Sequence, residues 1–310
     1  TAGSTPSGSL LPTFPATSRD QAKQLAQAFL DKVLEQDETF GLGMNGEILS
    51  VRFGLYAAED LTAADGSTIP ADGLLEIVSC DETGKSAFTT DIPAGARLYV
   101  KEDSTNEHYQ ISDEKYPVVF EYADQDVAIV HILVNDGVPI ENDLIRGSVL
   151  GKKIDEDGFS IGGVLFGLFR PEETTFTEET ALLTAESNVI GVFGFFNVPY
   201  GDWIVRELKP APAFVLNETL YPVTISEQEE TIEIVAENRY ITGAVQTTKA
   251  DAAYPDNKLS GAVFEVYVDV DGNREFDAAI DRPAGKLAET EPGIYRLDGL
   301  RYNGYFLHEA

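Results

Sequence analysis

Gly147-Ser-Val-Leu-Gly-Lys-Lys153-Ile-Asp155 begins a segment that continues with Gly201-Asp-Trp-Ile-Val-Arg-Glu207 and ends at Glu237-Asn238. A second copy of the same start, Gly243-Ala-Val-Gln-Thr-Thr-Lys249-Ala-Asp251, follows at once. The chain therefore repeats a pattern in which a Lys, a Glu and an Asn stand at fixed places, and internal repetition of this kind decides the fold before any other feature does.

Two further patterns recur along the chain. Apolar strand-like stretches occur at Val51–Tyr56, Val164–Phe169 and Ala262–Tyr267. Asn142 and Asn238 each precede the next repeated glycine by five positions and lie 96 residues apart. That spacing is the size of one β-sandwich domain and is much longer than a solenoid repeat.

Three glutamates are predicted to point into an apolar interior. Alternate residues of a strand share one face, so Glu207 lies on the face of Trp203 and Val205. The same rule groups Glu102 with Leu98 and Val100, and Glu309 with Tyr305 and Leu307. A nearby set of aromatic residues could line a sugar platform, but it alternates as a core would, and we predict a core: Phe193, Phe195, Phe196, Tyr200 and Trp203.

Lys, Glu and Asn side chains in an apolar interior can form a covalent cross-link. Burial disfavours the ammonium form of Lys and the carboxylate form of Glu, so a neutral amine lies beside a neutral acid. The neutral amine can attack the amide carbon of Asn, and the protonated Glu can polarise that amide and move the proton. Ammonia leaves, and an amide bond joins two strands.

From roughly residue 25 to residue 310, the chain resembles the Cna B-type or SpaA-type modules of Gram-positive surface adhesins and pilins. The resemblance is carried by the Gly147–Asp155 and Tyr200–Glu207 motifs. It implies a prealbumin-like, inverse immunoglobulin (Ig-like) β-sandwich with an intramolecular Lys-to-Asn isopeptide bond assisted by Glu. By motif position, Lys153, Glu207 and Asn238 take these roles in the second module.

In the first module Glu102 and Asn142 stand at the matching positions, and Lys32 is the predicted partner. Two interpretations of residues 19–36 compete. The apolar residues fall on one helical face, and Ser18 before Gln21 resembles a helix start, which would give a short N-terminal helix. We predict a strand, because the module needs one there to carry Lys32.

The third module has Lys249 and Glu309, but no Asn follows within the sequence. From Gly243 to the end there are 68 residues, fewer than the 96 of the second module. We therefore expect this module to be incomplete at its C-terminal side, with the partner of Lys249 missing from the chain and with an unpaired sheet edge.

Composition limits the class of protein. The 310 residues include 30 Tyr and Phe, which indicates an all-β protein. The net charge of −31 opposes binding to nucleic acid or anionic membranes. The single Cys, Cys80, allows no intramolecular disulfide. No stretch reaches the roughly 18 apolar residues of a membrane span, so membrane insertion of this segment is not expected.

One acidic stretch has the spacing of a calcium loop, with oxygen ligands at alternate positions: Asp269, Asp271, Asn273, Glu275 and Asp277. It departs from an EF-hand because Gly272 comes at the fourth position and Ile280 replaces the last ligand, although Asp281 is adjacent. An acidic hairpin tip is the competing interpretation, and apart from possible Ca²⁺ no cofactor is expected.

The predicted architecture is a flexible leader (1–18) followed by three tandem β-sandwich modules, 19–145, 146–241 and 242–310. The predicted function is that of a structural stalk, pilus or adhesin segment, secreted and held at the cell wall of a Gram-positive bacterium. Its chemistry would be one self-directed turnover and not enzymatic catalysis. Its neighbours are modules of the same chain, and other parts of the full-length protein could bind a host or surface ligand. The alternative is an array of carbohydrate- or host-ligand-binding modules.

Overall fold

The computed structural model describes residues 25–63, 65–92, 94–121 and 129–310 of the chain. Over these ranges the regular structure consists of strands and of two four-residue 3₁₀ segments, Glu47–Ser50 and Val134–Gly137. Within them, no helix has the length and apolar character needed to cross a membrane. The prediction of an all-β protein is confirmed, and the predicted leader, 1–18, lies outside the described residues.

In the described part of residues 19–145, the predicted first module, ten strands form two four-stranded sheets and a two-stranded ribbon. The strands are β1 Leu25–Leu34, β2 Arg52–Ala57, β3 Leu61–Thr62, β4 Thr68–Ile69, β5 Leu74–Ser79, β6 Lys85–Ala87, β7 Arg97–Ser104, β8 Tyr116–Val119, β9 Ile129–Leu133 and β10 Ile140–Asn142. β1 pairs with β10, β6 and β9, while the second sheet has the order β5-β2-β7-β8 and β3 pairs with β4.

Residues 25–34 form a strand, so the helix interpretation is wrong over this range, and residues 19–24 lie outside the described part. The reason is visible in the burial pattern, which alternates strictly along β1. Ala26, Ala28, Leu30, Lys32 and Leu34 are all buried, whereas Val33 is exposed. Pairing with three neighbouring strands overrides the local helical periodicity, because the module gains more from a buried strand face than from local propensity.

The second module, residues 146–241, is a two-sheet sandwich of seven strands. They are β11 Arg146–Asp155, β12 Leu165–Phe169, β13 Leu183–Glu186, β14 Val192–Pro199, β15 Gly201–Lys209, β16 Tyr221–Ile225 and β17 Thr231–Asn238. One sheet has the order β14-β11-β17 and the other β13-β12-β15-β16.

Aromatic side chains fill much of the interior of the second module. Phe193, Phe195 and Trp203 are buried, as the core interpretation predicted, although Phe196 is exposed. The Phe193 ring stacks on Phe166 with 3.8 Å between ring centroids. A Cβ at Gly151 would lie only 2.0 Å from the Phe193 ring. The ring therefore fits between the sheets only because residue 151 of β11 is a glycine.

The third module, residues 242–310, has two three-stranded sheets. Its strands are β18 Thr242–Thr248, β19 Phe264–Val268, β20 Arg282–Lys286, β21 Ala288–Glu291, β22 Ile294–Arg301 and β23 Tyr305–Glu309. The sheet orders are β18-β22-β21 and β20-β19-β23. Among the described residues β18 is an edge strand, in contrast to β1 and β11, which have partners on both sides.

One glycine turn recurs in all three modules. The backbone N–H of Lys32 donates to the carbonyl of Gly84, that of Lys153 to Gly191 and that of Lys249 to Gly293, at 2.6–2.9 Å. Each of these glycines has a positive φ, from 70° to 79°. A Cβ on Gly84 or Gly191 would lie 2.1 or 2.3 Å from the carbonyl oxygen of the facing lysine. The turn thus fixes the backbone of each lysine, and only glycine fits there.

Contacts between Cα atoms divide the chain into two compact units. The first comprises residues up to Gly147 with Asn197–Gly201 and Thr224–Glu230, and the second comprises Ser148–Phe196, Asp202–Val223 and Thr231–Ala310. The three-module boundaries therefore stay a prediction. We keep the names first, second and third module for 19–145, 146–241 and 242–310.

Within the second compact unit, Arg301 of the third module contacts the second module. Its guanidinium group lies 4.0 Å from the ring centre of Tyr240 and forms ion pairs with Asp157 at 2.7 Å and Glu156 at 3.4 Å. The Tyr240 hydroxyl in turn donates to Asp155 at 2.6 Å. Side chains from the beginning and end of the second module thus converge on one arginine of the third.

The glycine turn gives a test of how strongly the lysine backbone is constrained. Gly191→Ala should destabilise the second module, since a residue with positive φ costs roughly 1–2 kcal/mol and the clash with the Lys153 carbonyl adds roughly 1–3 kcal/mol. Gly158→Ala is the matched control, because Gly158 also has a positive φ but no atom lies within 4 Å of its added Cβ. Urea unfolding followed by fluorescence of Trp203, the single tryptophan, measures both; equal losses of stability would contradict the clash.

Candidate functional site

The first and last strands of the second module run parallel and bring Lys153 and Asn238 to one face. In the β11–β17 register, Lys153 is opposite Ala236 and Asp155 is opposite Asn238. The two side chains are therefore offset by two residues on adjacent strands, and residues two apart along a strand point to the same side. Glu207 reaches them from β15 in the facing sheet, where it pairs with Phe166.

All three side chains are buried, at no more than 1% exposure. The Asn238 Nδ2 donates a hydrogen bond of 2.8 Å to Glu207 Oε1. The Lys153 Nζ donates to the carbonyls of Ile154 and Ala236 at 3.0 and 3.1 Å. Asn238 Oδ1 and Glu207 Oε2 are buried without a hydrogen-bond partner. The site thus holds an amine, an amide and a carboxyl group together out of water.

The pKa values of the two ionisable groups are shifted towards their neutral forms. Burial lowers the pKa of Lys153 from 10.5 to about 8, although Glu207 opposes this shift. Burial also raises the pKa of Glu207, against the opposing effects of the Asn238 hydrogen bond and of Lys153. Removal from water penalises either charge, so the interior favours an uncharged amine beside an uncharged acid.

The first module repeats this geometry. Lys32, Glu102 and Asn142 are 1–3% exposed. β1 and β10 are parallel, with Lys32 opposite Ile140 and Leu34 opposite Asn142, which is the same two-residue offset as in the second module. The Asn142 Nδ2 donates to Glu102 Oε1 at 2.7 Å. The structure therefore brings together the three residues that the sequence predicted for this module.

Two details distinguish the first module from the second. Lys32 Nζ is buried without a hydrogen-bond partner, whereas Lys153 contacts two carbonyls. Asn142 Nδ2 also donates to Thr105 Oγ1 at 3.0 Å, and Ser112 N–H donates to Glu102 Oε2 at 3.0 Å. Burial lowers the pKa of Lys32 to about 8, with Glu102 as the main opposing charge.

In the third module Lys249 and Glu309 meet, but they are not buried. They form an ion pair of 2.6 Å, with side-chain exposures of 35% and 44%. Glu309 pairs with Phe264 across two strands, as Glu207 pairs with Phe166. The prediction that Glu309 faces an apolar interior is nevertheless wrong for the described chain, because β18 is an edge strand and nothing described covers the pair on that side.

The acidic loop of the third module differs from the predicted ligand order. Asp269 and Asp271 lie together with Asp281, and one oxygen of each is within 4.8 Å of the others. Glu275 and Asp277 do not belong to this cluster, and the Asn273 side chain bonds to Asp271. Asp281 therefore takes the place that the EF-hand-like order gave to Glu275 and Asp277. The physical reason is that the Asp281 carboxylate accepts the N–H groups of Val270 and Asp277, which holds it against the start of the loop.

Sequence reasoning missed two features of the site. The glycine turns at Gly84, Gly191 and Gly293 were not identified, although each stands just before a strand within a turn-like stretch. Phe53, Phe166 and Phe264 were seen only as strand residues, whereas each is paired directly with the module's glutamate. The signal that could have revealed the pairing is the Phe at the third position of each repeated apolar stretch, Val51–Tyr56, Val164–Phe169 and Ala262–Tyr267.

The chain is similar to known proteins in one part of its sequence and in its fold. Residues 147–240 match the family model described as SpaA, prealbumin-like fold domain. No curated protein sequence matches the chain. Among solved structures, the Bacillus anthracis TIE protein is similar over 92% of this chain, at 17% identity and a TM-score of 0.62. This chain spans only 45% of that protein, and at such identity the likeness shows the fold.

Two weaker likenesses are to a streptococcal ancillary pilin and to a C-terminal fragment of the pilus adhesin SpaC from Lactobacillus rhamnosus GG. The first covers 92% of this chain and 89% of the pilin at 17% identity, with a TM-score of 0.30. The second covers 69% of this chain and 98% of the fragment at 10% identity, with a TM-score of 0.42. The family match rests on the second module, where the sequence motifs and the sandwich coincide. Over residues 147–240 this chain is therefore similar to the SpaA family of prealbumin-like fold domains.

Proposed function

We propose that this chain is a structural segment of a Gram-positive surface protein whose first and second modules lock themselves with Lys-to-Asn isopeptide bonds. The observation that carries the proposal is the same buried constellation in two modules: Lys32, Glu102 and Asn142 in one, and Lys153, Glu207 and Asn238 in the other. Each joins the first strand to the last and sets the carboxyl group against the amide.

The reaction balances without any external reagent. The lone pair of the neutral Lys153 Nζ attacks Cγ of Asn238, so that an N–C bond forms while the Cγ–Nδ2 bond breaks. The amine loses a proton and the departing Nδ2 gains one, which gives one amide bond and one ammonia molecule. Glu207 carries the proton between these two nitrogens as a general acid and base.

The hydrogen bonding around Asn238 supports a protonated Glu207. The amide oxygen and one carboxyl oxygen are both without a partner, and an unsatisfied buried polar atom costs about 1–3 kcal/mol. A half-turn of the amide group would exchange its oxygen and nitrogen, which occupy nearly the same space. The protonated carboxyl group would then donate to Oδ1 and draw electrons from Cγ, which favours attack by the amine.

A cross-link of this kind would stabilise the module as a disulfide bond stabilises other exported proteins. Lys153 and Asn238 are 85 positions apart, so the bond would close nearly the whole module as a loop. By analogy with disulfides, a loop of this length constrains the unfolded chain by about 4 kcal/mol. Cys80, the single cysteine, is buried and unpaired, and an amide cross-link needs no oxidising environment.

The wider role follows from the repetition of braced modules. We infer a rigid, acidic stalk or shaft segment, located outside the cell and at the cell wall, as in pilins and adhesins. The contact of Arg301 with Tyr240 and Asp157 favours a firm connection between successive modules. The self-directed bond formation is a single event per module, so we do not propose an enzyme.

The mass of the denatured chain tests the proposal. The unmodified protein should be lighter than its sequence mass by two ammonia molecules, and Glu102→Ala and Glu207→Ala should each restore one, because each removes the proton carrier of one site. Intact-mass spectrometry under denaturing conditions measures this directly. Glu237→Ala is a matched control, since Glu237 is exposed on β17 beside Asn238, and it should keep the full deficit.

The outcomes separate the two sites. A deficit of one ammonia that only Glu207→Ala restores would exclude the Lys32 assignment and leave the second module intact. No deficit in the unmodified chain would overturn the cross-link and favour the alternative of a ligand-binding array.

The lowered pKa of Lys153 gives a second prediction. In Asn238→Ala the Lys153 amine has no amide with which to react. The pKa of this amine is about 8 in the folded chain and about 10.5 in the unfolded chain. Between these values the unfolded state binds more protons, so the free energy of unfolding should rise with pH by up to about 1.4 kcal/mol per unit. Below pH 8 both states are protonated, and the full penalty for burying the charge remains.

Denaturant unfolding followed by Trp203 fluorescence from pH 7 to pH 10.5 measures this slope. The double variant Lys153→Met/Asn238→Ala, which lacks the amine, is the matched control and sets the slope due to all other groups. The unmodified chain should follow the control, because its amine is consumed in the amide. A slope in the unmodified chain equal to that of Asn238→Ala would mean that a free amine persists.

A further inference from the structure

The loop between β19 and β20 gathers three carboxylates at one point. One oxygen each of Asp269, Asp271 and Asp281 lies within 4.8 Å of the others. Asp269 and Asp281 are both 6% exposed, whereas Asp271 is exposed. Like charges this close repel each other strongly, and burial of two of them increases the repulsion because water screens them less.

No positive side chain compensates this cluster in the part of the chain that the structure describes. None of its ten ion pairs includes any of the three aspartates. Their hydrogen-bond donors are backbone N–H groups and one Asn side chain of the same loop. These contacts fix the carboxylates in place but leave three formal negative charges together.

Asp269 supplies an independent sign of a ligand. Its Oδ2 accepts the N–H of Arg274 at 3.1 Å, while its Oδ1 is buried without any hydrogen-bond partner. The Gly304 backbone closes the other side, because the Asp269 N–H donates to its carbonyl at 3.0 Å and an added Cβ there would lie 3.3 Å from Asp269. Oδ1 is therefore a buried oxygen without a hydrogen-bond partner, on one of the three carboxylates of the cluster.

From this arrangement we propose that Asp269, Asp271 and Asp281 bind one Ca²⁺ ion in the third module. The cluster offers only oxygen ligands and neither His nor Cys, which suits a hard cation and not zinc. A single short loop with carboxylates at its two ends favours Ca²⁺, which accepts irregular geometry, over Mg²⁺, which demands a near-ideal octahedron. The site is separate from the Lys, Glu and Asn constellations and does not rest on the cross-link proposal.

Binding of the ion would satisfy Asp269 Oδ1 and neutralise most of the local charge. It would also connect the end of β19, through Asp269 and Asp271, to the start of β20, through Asp281. The ion would therefore close the loop between two paired strands of a module with a small core, whose fully buried apolar residues are Phe264, Val266, Leu287, Tyr295 and Leu300.

Isothermal titration of Ca²⁺ into the full chain, freed of metal with a chelator, tests the site. We expect one saturable ion per chain with a Kd of about 10⁻⁴ to 10⁻³ M, the range of extracellular modules. Asp269→Asn and Asp281→Asn should weaken binding by about tenfold or more, given that loss of outer-shell partners alone costs about 10- to 100-fold. Asp256→Asn, which changes an exposed aspartate of another loop in this module, is the matched control and should bind as the unmodified chain does.

Absence of saturable binding in the unmodified chain would overturn the proposal. So would equal affinity in all variants, because that pattern indicates diffuse attraction of Ca²⁺ to the net charge of −31. Asparagine keeps the shape of aspartate, and in Asp269→Asn its single oxygen can still accept the Arg274 N–H. Asp281→Asn keeps only one of the two N–H bonds from Val270 and Asp277, so circular dichroism in chelator checks the fold of both variants.

Thermal unfolding in chelator measures the effect of the carboxylate cluster on stability without bound Ca²⁺. Asp269→Asn should be at least as stable as the unmodified chain without Ca²⁺, since it removes a buried charge from the repulsive cluster. Addition of Ca²⁺ should then raise the melting temperature of the unmodified chain and of Asp256→Asn but not of Asp269→Asn. A metal-free Asp269→Asn that melts lower would contradict the proposal, because the carboxylate would then stabilise the loop without an ion.

Discussion

The burial of a lysine amine between the first and last strands is the constraint on which the first and second modules depend. An ammonium group in an apolar interior is unfavourable by several kcal/mol, so the site lowers the pKa of Lys32 and Lys153 to about 8 and places a carboxyl group from the facing sheet beside each. The rest of the sandwich keeps these groups in register. The parallel pairing of first and last strands sets the offset between Lys and Asn, and the glycine turn fixes the lysine backbone.

The third module shows what the same residue types do without a covering strand. Lys249 and Glu309 stand at the corresponding positions, and Glu309 keeps its pairing with a phenylalanine. Both side chains are partly exposed and form an ion pair, of a kind worth about 0–1 kcal/mol at a surface. Burial, and not the residue types alone, distinguishes the Lys, Glu and Asn sites of the first and second modules from this exposed pair.

Much of this fold could be predicted from sequence, because the strand alternation is strong and repeats. Glu102 and Glu207 share a face with apolar residues, and their inward direction followed from the two-residue period alone. Lys32 was harder, since its strand has a local helical pattern that only pairing with β6, β9 and β10 overrides. Asp281 stands next to the last ligand position of the calcium-loop pattern, but its place in the carboxylate cluster depends on how the loop folds. The glycine turns could not be predicted, because their contacts are with strands distant in sequence. The predicted burial of Glu309 was wrong, because the exposure of a side chain depends on neighbouring strands and not only on the alternation within its own strand.

The parallel arrangement of β11 and β17 has a mechanical consequence. Chain entering at the start of β11 and leaving at the end of β17 pulls the two strands in opposite directions along their length. The ladder between them, from Ser148 opposite Thr231 to Asp155 opposite Asn238, is then loaded in shear. All of its hydrogen bonds resist together, whereas an antiparallel hairpin pulled from its open end would unzip one bond at a time. The hydrogen-bonded ladder alone would thus resist force applied to the two ends of the second module.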